Sequence, residues 1–284
     1  MALAQSRAIM LDTVPIKRFA DYDPFAWTYN KHWGDMFTPL AFAVIEQMLL
    51  PRLGSEAKIL DLCCGTGQLA AILSRQGYRV TGLDGSSRML HFARTNAPTS
   101  TFIMADARSF SPGERFDAVT CVFDSLNHIM STDDLRLVFN RVNSALVDRG
   151  LFLLDFTTEA SFTAHPEGVY GIVESDHVCV HRSDYNAATK VGEYDFTLFR
   201  LELGEWRRSD FVLKQRSYEV DEVLGILKAA GFEALSVRGH DGAQGLKELT
   251  ADSRRAFILC AKRTTSGPAG RPAKKARGAN RSVP

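Results

Sequence analysis

The chain has 284 residues, of which 45% are hydrophobic and 24% are charged, and its formal net charge is +1 at pH 7. These values are typical of a folded protein with one large domain, or with a domain that carries an insertion, and they exclude a disordered or fibrous chain. No apolar run approaches the ~20 residues that cross a bilayer, and no secretory h-region follows the first Met. We therefore expect a cytoplasmic protein without a membrane partner.

The charge is unevenly distributed along the chain. Residues 264–284 contain five bases and no acid, which leaves 29 of the 34 basic residues to balance all 33 acidic ones. A body with this excess of acid has no broad attraction for a polyphosphate, so we expect no nucleic-acid partner. The basic tail is rich in Gly, Pro and Ala and is predicted to be disordered. Its RPAKKARG segment is either simply solvated or a localisation or phosphate-binding patch.

The five cysteines show no spacing that is typical of a disulfide framework. This pattern fits a reducing compartment such as the cytoplasm. The oligomeric state stays open between monomer and dimer.

The chain begins with a predicted helical segment over residues 1–50. Its aromatic-rich part, from Phe19 to Leu50, has a helical pattern, and we expect it to act as a lid over a ligand crevice. From Lys58 onward, apolar strands alternate with helices. The predicted strands are KILDL, YRVTGLD, TFIMAD, FDAVTCVFD and GLFLLDF. Helices are predicted at Gln68–Arg75, at SSRMLHFAR after a Ser cap, and at TDDLRLVFNRVNSALV with Thr132 as its cap. This alternation predicts an α/β fold, a doubly wound, Rossmann-like parallel sheet buried on both faces.

Residues 168–218 break the alternation. Three antiparallel strands are predicted there, GIVESDHVCVHRSDY, KVGEYDFTLFRLEL and EWRRSDFVLKQRSY, joined by turns at NAAT and LGEW. Helix and strand patterning resumes in VDEVLGILKAAGFEALSVRG and ends with RAFILCAKR. The main domain is therefore predicted to comprise residues 51–167 and 219–263. The β insertion after the fifth strand would lie over the carboxyl edge of the sheet, where open α/β sheets bind ligands.

A glycine turn, DLCCGTG, joins the first predicted strand to its helix. Gly65 and Gly67 suit positions where a Cβ would block a ligand or where φ is unusual. The turn lacks the Gly-Lys-Ser/Thr of a phosphate loop and the G-x-G-x-x-G of a dinucleotide site. The adjacent Cys63 and Cys64 lack the C-x-x-C spacing of a metal site, so no metal is expected. What remains is a loop for a nucleoside-like ligand without phosphates.

Three residues near the next strand ends support this interpretation. Asp84 ends the second strand, where a carboxylate can accept from both ribose hydroxyls, and Asp106 follows the third, where it can accept from an adenine amine. Met89, one turn into the following helix, can pack against the base. Each has a purely structural alternative, as a helix cap, a turn residue and a core residue respectively. Together, at successive strand ends, they favour a binding site.

The segments ILDLCCGTG, VTGLDGSSRML, MADAR and FDAVTCVFDSLNHI resemble, in this order, the motifs of class I S-adenosylmethionine-dependent methyltransferases. The resemblance covers Phe19 to about Arg263. The FDSLNHI segment, the β insertion and the aromatic N-terminal helix are similar to small-molecule members such as glycine and aminosugar N-methyltransferases. The resemblance implies that S-adenosylmethionine is the cofactor and that a nitrogen or oxygen of a small metabolite is methylated.

The resemblance also implies individual roles. Asp61, Gly65 and Gly67 would shape the loop around the methionine part of the cofactor, and Asp84 would hold the ribose. Met89 and Ala107 would flank the adenine, and Asp106 would bond its amine. Phe123 would lie beside the sulfonium. Cys63 and Gly85 belong to the same predicted site. Cys63 is a departure, since it stands where the family often has its first glycine; cysteine is small and often buried, so the departure puts little in doubt.

The predicted catalytic residues lie in DSLNHI, after the fourth strand. His128 is the predicted proton acceptor, because imidazole titrates near neutral pH and this residue stands at the mouth of the crevice. The alternative is a histidine that caps the following helix. Asp124 and Asn127 are predicted to orient the substrate or His128.

Further candidates come from the two flanking segments. Tyr22, Tyr29 and Trp33 are predicted to form an aromatic lid that attracts a sulfonium or an amine cation, with plain helix packing as the alternative. Tyr29 also belongs to the predicted substrate site, as does Arg216, which could meet a substrate carboxylate or be a solvated strand charge. A third candidate, a metal triad of His177, Cys179 and His181 on one strand face, is disfavoured because nothing else indicates a metal.

Two other functional classes compete with a methyltransferase. One is an NAD(P)-binding oxidoreductase, against which the missing third glycine and the position of Asp106 argue. The other is a non-catalytic protein that binds the cofactor, against which His128 argues.

Overall fold

The structure, a computed structural model, describes residues 20–111, 113–164, 167–240 and 245–264. The predicted basic tail lies outside the described residues from residue 265 onward, as do residues 1–19 of the predicted N-terminal segment. Within the described part of the chain, no helix has the length and apolar character that crossing a membrane requires.

The N-terminal segment is one nearly continuous helical run. Helix α1 (Ala26–Thr28) passes into a π-helical turn (Tyr29–Trp33) and then into α2 (Gly34–Met48), which ends before a short 3₁₀ turn at Leu50–Arg52. The predicted helical character of this segment is confirmed.

The central sheet has eight strands and carries most of the core. In chain order it comprises β1 (Lys58–Leu62), β2 (Arg79–Asp84), β3 (Thr101–Met104), β4 (Phe116–Cys121), β5 (Leu146–Thr157), β10 (Phe232–His240), β11 (Leu246–Lys247) and β12 (Arg255–Lys262). The connecting helices are α3 (Gln68–Arg75), α4 (Ser87–Asn96), α5 (Thr132–Ala145), α6 (Glu159–Ala164) and α7 (Val220–Ala229). The order across the sheet is β11-β10-β12-β5-β4-β1-β2-β3.

The predicted Rossmann-like sheet is therefore confirmed, with one addition at its edge. Strands β1 to β5 pair in parallel, whereas β12 is antiparallel to both β5 and β10. A parallel return needs a crossover, usually a helix. No helix occurs between β10 and β12 in the described residues there, and the chain returns antiparallel.

Apolar side chains fill both faces of this sheet. Phe139 and Val142 of α5 pack with Ile226 of α7 on one face, and Val44 and Ile45 of α2 pack with α3 on the other. Burial on both faces explains why the strands are apolar runs rather than alternating patterns.

Two predicted boundaries are corrected. Strand β4 ends at Cys121 instead of continuing through VFD, because Phe123 and Asp124 take left-handed backbone conformations with φ +66 and +50. The cap of α5 is Ser131 rather than Thr132, since Ser131 is extended and its Oγ accepts from the amide of Asp134. The predicted Ser cap of α4 is Ser86, whose Oγ accepts from the amide of Met89.

The insertion forms a separate antiparallel sheet of four strands rather than the three predicted. These are β6 (Glu167–Val173), β7 (His177–Asn186), β8 (Val191–Glu202) and β9 (Glu205–Arg216), in that order across the sheet. The first predicted strand is split by a turn in which the amide of Glu174 donates to the carbonyl of His177. The turn contains Ser175 and Asp176, which favour turns, so composition offered a signal here that the strand prediction did not use.

The antiparallel sheet packs against the N-terminal segment. Phe25 contacts Phe196 of β8 at a ring distance of 4.7 Å, and Leu213 of β9 belongs to the same buried cluster. A 3₁₀ turn at Ser125–His128, after β4, contacts β9. These contacts bring three separate parts of the chain to the carboxyl edge of the central sheet.

Candidate active site

A cavity of about 500 Å³ lies at the carboxyl ends of the central strands. The N-terminal segment and β9 also border it, and Tyr29 of the N-terminal segment lies beside the glycine turn. Twelve of the predicted site residues line it: Tyr22, Tyr29, Asp61, Cys63, Gly65, Asp84, Gly85, Met89, Asp106, Ala107, Phe123 and His128. The carboxyl ends of parallel strands meet at one sheet edge, which brings together the lining residues between Asp61 and His128, and the N-terminal segment adds Tyr22 and Tyr29.

The glycine turn curves around one end of the cavity through left-handed conformations. Cys63, Gly65 and Gly67 have φ of +59, +54 and +81. Gly65 lines the cavity, and a Cβ there would lie 3.6 Å from the ring of Tyr29. Gly67 serves packing instead, since a Cβ would come within 2.9 Å of Ala93. The left-handed conformation of Cys63 costs roughly 1–2 kcal/mol relative to glycine.

Two buried carboxylates stand beside this turn. Asp61 accepts from the hydroxyl of Thr120 through Oδ1, while its Oδ2 is buried without a partner among the described residues. Asp84 accepts from the amides of Gly65 and Ser86 at 2.9 and 2.8 Å. Burial raises the pKa of Asp61 to about 7 and that of Asp84 to about 6. A cationic or hydrogen-bond donating ligand in the cavity would offset this burial.

The opposite wall of this end is built by Met89 and by an ion pair. Met89 is buried and borders the cavity. Arg108 holds Asp106 with both Nε and Nη2, and the hydrogen bond from Arg108 lowers the pKa of Asp106. With the backbone amide of Arg108 included, Arg108 makes four contacts to the two oxygens of Asp106, and these occupy the roughly four lone-pair sites of the carboxylate.

His128 lies at the other end of the cavity in a defined tautomer. Its Nδ1 is 2.8 Å from the carbonyl oxygen of Lys214, which can only accept, so Nδ1 carries the hydrogen. The Nε2 of the neutral ring is then an acceptor, and the hydroxyl of Tyr22 donates to it at 2.6 Å. Burial lowers the pKa of His128 despite the opposing influence of Asp124. At neutral pH the cavity therefore presents a neutral imidazole that can take up a proton.

Asp124 lies next to the cavity wall in a network of charges. Arg255 donates to Asp124 Oδ1 at 2.7 Å and to Asp155 at 2.6 Å. Burial acts to raise the pKa of Asp124, but Arg255 outweighs it and the pKa is lowered. Asp124 therefore stays ionised and contacts His128 only through Gln215.

The other predicted site residues do not line the cavity. Asn127 is fully buried and bonds the backbone of Thr157 and Arg216, so it ties β5 to β9 and makes no contact that would orient a substrate. Arg216 bonds Met130 and Glu222. Trp33 packs against Phe25. The predicted lid aromatics at the cavity are thus Tyr22 and Tyr29.

Sequence reasoning missed Gln215, Arg255 and Arg108. Arg216 was selected in QRSY because of its charge, yet alternation along β9 buries Leu213 and Gln215 instead, and Gln215 contacts His128. The signal available in the sequence was the alternation of side chains along a β strand, which places Leu213 and Gln215 on the same face. Nothing local in RAFILCAKR distinguishes Arg255 as a partner of Asp124, in the loop after β4, and of Asp155 in β5.

Acidic side chains dominate the cavity lining. Five aspartates border it, against Arg108, Lys214 and the neutral His128; they are Asp21, Asp61, Asp84, Asp106 and Asp134. This charge disfavours phosphates and favours a cation. Fold and site together define a Rossmann-like protein with an acidic cavity at the carboxyl edge of its sheet and a neutral histidine in the cavity wall.

Comparison with known proteins agrees with this definition. Residues 59–150 match the family described as Methyltransferase domain. A "Putative methyltransferase" of Geobacillus sp. (strain WCH70) is 30% identical over 233 residues, covering 76% of this chain and 90% of that protein. The dTDP-4-amino-2,3,4,6-tetradeoxy-D-glucose N,N-dimethyltransferase of Saccharopolyspora spinosa is 26% identical over 218 residues, covering 71% of this chain and 82% of that protein.

A solved structure is similar in fold over most of the chain. It is an S-adenosylmethionine-dependent methyltransferase from Clostridium acetobutylicum, with a TM-score of 0.72 and 20% identity, covering 86% of this chain and 99% of that one. The chain belongs to the class I S-adenosylmethionine-dependent methyltransferases. It is thus an enzyme with S-adenosylmethionine as cofactor, and the oxidoreductase and non-catalytic alternatives are wrong.

Proposed function

We propose that this enzyme methylates a nitrogen or oxygen of a small metabolite and that His128 accepts the proton which the acceptor loses. One observation carries the proposal. A neutral imidazole, anchored through Nδ1 to the Lys214 carbonyl, presents its acceptor nitrogen at the cavity that also contains the glycine turn.

The residues of the glycine-turn end fit the cofactor. S-Adenosylmethionine supplies, when bound, an electrophilic methyl group on a cationic sulfonium. Asp61 offers a buried acceptor oxygen without a partner among the described residues, which suits the cofactor's ammonium group. Asp84 and Met89 would hold the ribose and the base, while Gly65 leaves room beside Tyr29. Phe123 would lie between this end and the acceptor.

The opposite end suits the acceptor. An amine or hydroxyl that gains a methyl group must lose one proton, and a base of matched pKa contributes about 10²–10⁴-fold. Tyr22 already donates to His128 Nε2. The acceptor's proton therefore passes to the Tyr22 oxygen as the Tyr22 proton passes to Nε2, which leaves Tyr22 neutral and His128 protonated. The nearby Asp124 carboxylate stabilises the resulting imidazolium.

A small acceptor, and an amine in particular, suits the cavity. Its volume of about 500 Å³ must hold both cofactor and acceptor. Its aspartates favour a cationic amine over an acid. The relative from Saccharopolyspora spinosa is named for transfer to an amino sugar. In this proposal the N-terminal segment and the antiparallel sheet close the cavity.

The test is an activity screen of amines and hydroxyl compounds that reports S-adenosylhomocysteine, followed by His128→Asn on the best acceptor. We expect His128→Asn to lower turnover by about 10²-fold or more with nearly unchanged cofactor affinity. The acidic limb of the pH–rate profile, which burial places below the usual value of 6.5, should disappear.

The matched control is His91→Asn, which changes an exposed histidine of α4. It should keep both turnover and the acidic limb. If His128→Asn also retains most activity with an unchanged profile, His128 is not the proton acceptor.

A further inference from the structure

Gln215 bridges His128 and the charged network behind it. It is buried on β9, and its Nε2 lies 2.5 Å from Asp124 Oδ2 and 3.2 Å from His128 Nε2. An amide nitrogen has two hydrogens and no acceptor capacity, so it donates one hydrogen to the carboxylate. The other is directed at His128 Nε2, where it shares the single imidazole lone pair with the shorter hydrogen bond from the Tyr22 hydroxyl.

The far side of this bridge is fixed. The Asp124 carboxylate accepts a hydrogen bond from Arg255 Nη2, and the backbone amide of Asp124 donates to Asp155 Oδ1 at 2.8 Å. Asp155 in turn accepts a hydrogen bond from Arg255 Nη1 and is almost fully buried. The carboxylates of Asp124 and Asp155 and the guanidinium of Arg255 therefore hold each other in place. Because Gln215 bonds both Asp124 and His128, this network also restricts the position of the imidazole.

The bridge also distinguishes the two protonation states of His128. A hydrogen-bond donor directed at Nε2 stabilises the neutral ring, because Nε2 is then an acceptor. The same donor destabilises the imidazolium, because Nε2 then carries a hydrogen of its own. The other groups around the ring are the Tyr22 hydroxyl from the N-terminal segment, the Lys214 carbonyl from β9 and the Asp124 carboxylate from the loop after β4. Arg255 lies one contact further away, where it neutralises Asp124.

We infer that Gln215 is a positioning residue for the proton transfer: it sets the orientation and the basicity of His128 from a β strand of the insertion. The inference rests on the proposed role of His128. It assigns the antiparallel sheet a part in catalysis, since the strand that supplies Gln215 also supplies the carbonyl that fixes the tautomer.

The test compares Gln215→Leu with wild type on one acceptor, measuring turnover, cofactor affinity and the pH–rate profile. Leucine removes the donor at similar volume. We expect turnover at the pH optimum to fall about tenfold or more with cofactor affinity unchanged. The acidic limb should move up by about half a pH unit or more, because the neutral ring loses a hydrogen bond.

A second variant and a control secure the interpretation. Gln215→Glu keeps the length of the side chain and adds a negative charge, so its acidic limb should move further up. Tyr185 lies in β7 of the same sheet and bonds Glu159 and Ser217. Tyr185→Phe removes these hydrogen bonds without changing any contact of His128, so the acidic limb of the profile should stay in place. The inference is overturned if the folded Gln215 variants keep the acidic limb at the same pH as wild type. In that case the proposed function still stands, provided that His128→Asn loses turnover. Full activity in His128→Asn overturns both.

Discussion

Asp61 is a buried carboxyl group whose ionised form is destabilised by its surroundings. Burial raises its pKa from 3.8 to about 7, the hydrogen bond from Thr120 acts against this, and the nearby Asp84 adds to it. A carboxyl group whose pKa is higher in the folded than in the unfolded state destabilises the folded protein when it ionises. That penalty is absent below about pH 4 and complete above about pH 7. Such a cost is typical of a binding residue.

Asp61→Asn should therefore stabilise the protein while weakening cofactor binding. The melting temperature should exceed that of wild type by about 2–4 °C for each kcal/mol of relieved penalty, and the difference should grow between about pH 4 and pH 7. Thermal unfolding across this range, with calorimetry for S-adenosylmethionine, measures both effects. Asp148→Asn, an exposed change on β5, should give no such trend. A difference that is constant with pH would contradict the assignment.

Among the elements, the N-terminal helical run and β7 are joined by a pair of histidines. His32 Nε2 lies 2.7 Å from His177 Nε2, and His177 Nδ1 bonds Asp176 at 2.6 Å. Nδ1 of His177 thus carries a hydrogen, its Nε2 accepts, and His32 donates. Protonation of both rings would place two N–H groups face to face. Burial, then His177 and Lys31, lower the pKa of His32.

A base with a lowered pKa in the folded state makes stability fall as pH drops below its unfolded value, here about 6.5. We expect the melting temperature of His32→Gln, which retains an N–H donor, to fall less between pH 7.5 and pH 5.5 than that of wild type. His91→Gln, on the exposed face of α4, should follow wild type. Equal slopes for all three proteins would show that the pair does not contribute to pH sensitivity.

For the whole molecule, residues 20–33 connect the parts that surround the cavity. Asp23 accepts from Ser86 Oγ at 2.6 Å, which ties the segment to α4. Tyr22 reaches His128 and Phe25 enters the core of the antiparallel sheet. Because Tyr22 and Tyr29 also border the cavity, a bound ligand would rigidify this junction.

Hydrogen exchange at residues 21–33 and in β9 should therefore slow when S-adenosylhomocysteine is added. The melting temperature should rise with ligand concentration, because a ligand that binds only the folded state adds RT ln(1 + [L]/Kd) to stability. Asp84→Ala should abolish most of that rise. Protection confined to residues 61–106 would mean that the N-terminal aromatics only pack and do not close over the ligand.

The sequence by itself determined what depends on short-range patterns. Alternating apolar runs and helical periods are local, so they indicated the doubly wound sheet, the inserted β segment and the Ser86 cap. Aspartates at successive strand ends indicated a shared cavity, because the carboxyl ends of parallel strands share one edge, and Asp61, Asp84 and Asp106 do line one cavity. His128 could be picked out for a similar reason, since it ends the turn that follows β4.

Tertiary structure alone decided which side chains meet across long separations. Gln215 reaches residues 87 and 91 positions away, and Arg255 reaches Asp124 across 131 positions. No periodicity encodes such pairings, because they depend on how β9, β12 and the loop after β4 pack together. The left-handed backbone at Phe123 and Asp124 is likewise unexpected for non-glycine residues, and surrounding contacts must hold it. The end of the cavity at the glycine turn is thus mostly local in origin, whereas the partners that surround His128 are products of long-range packing.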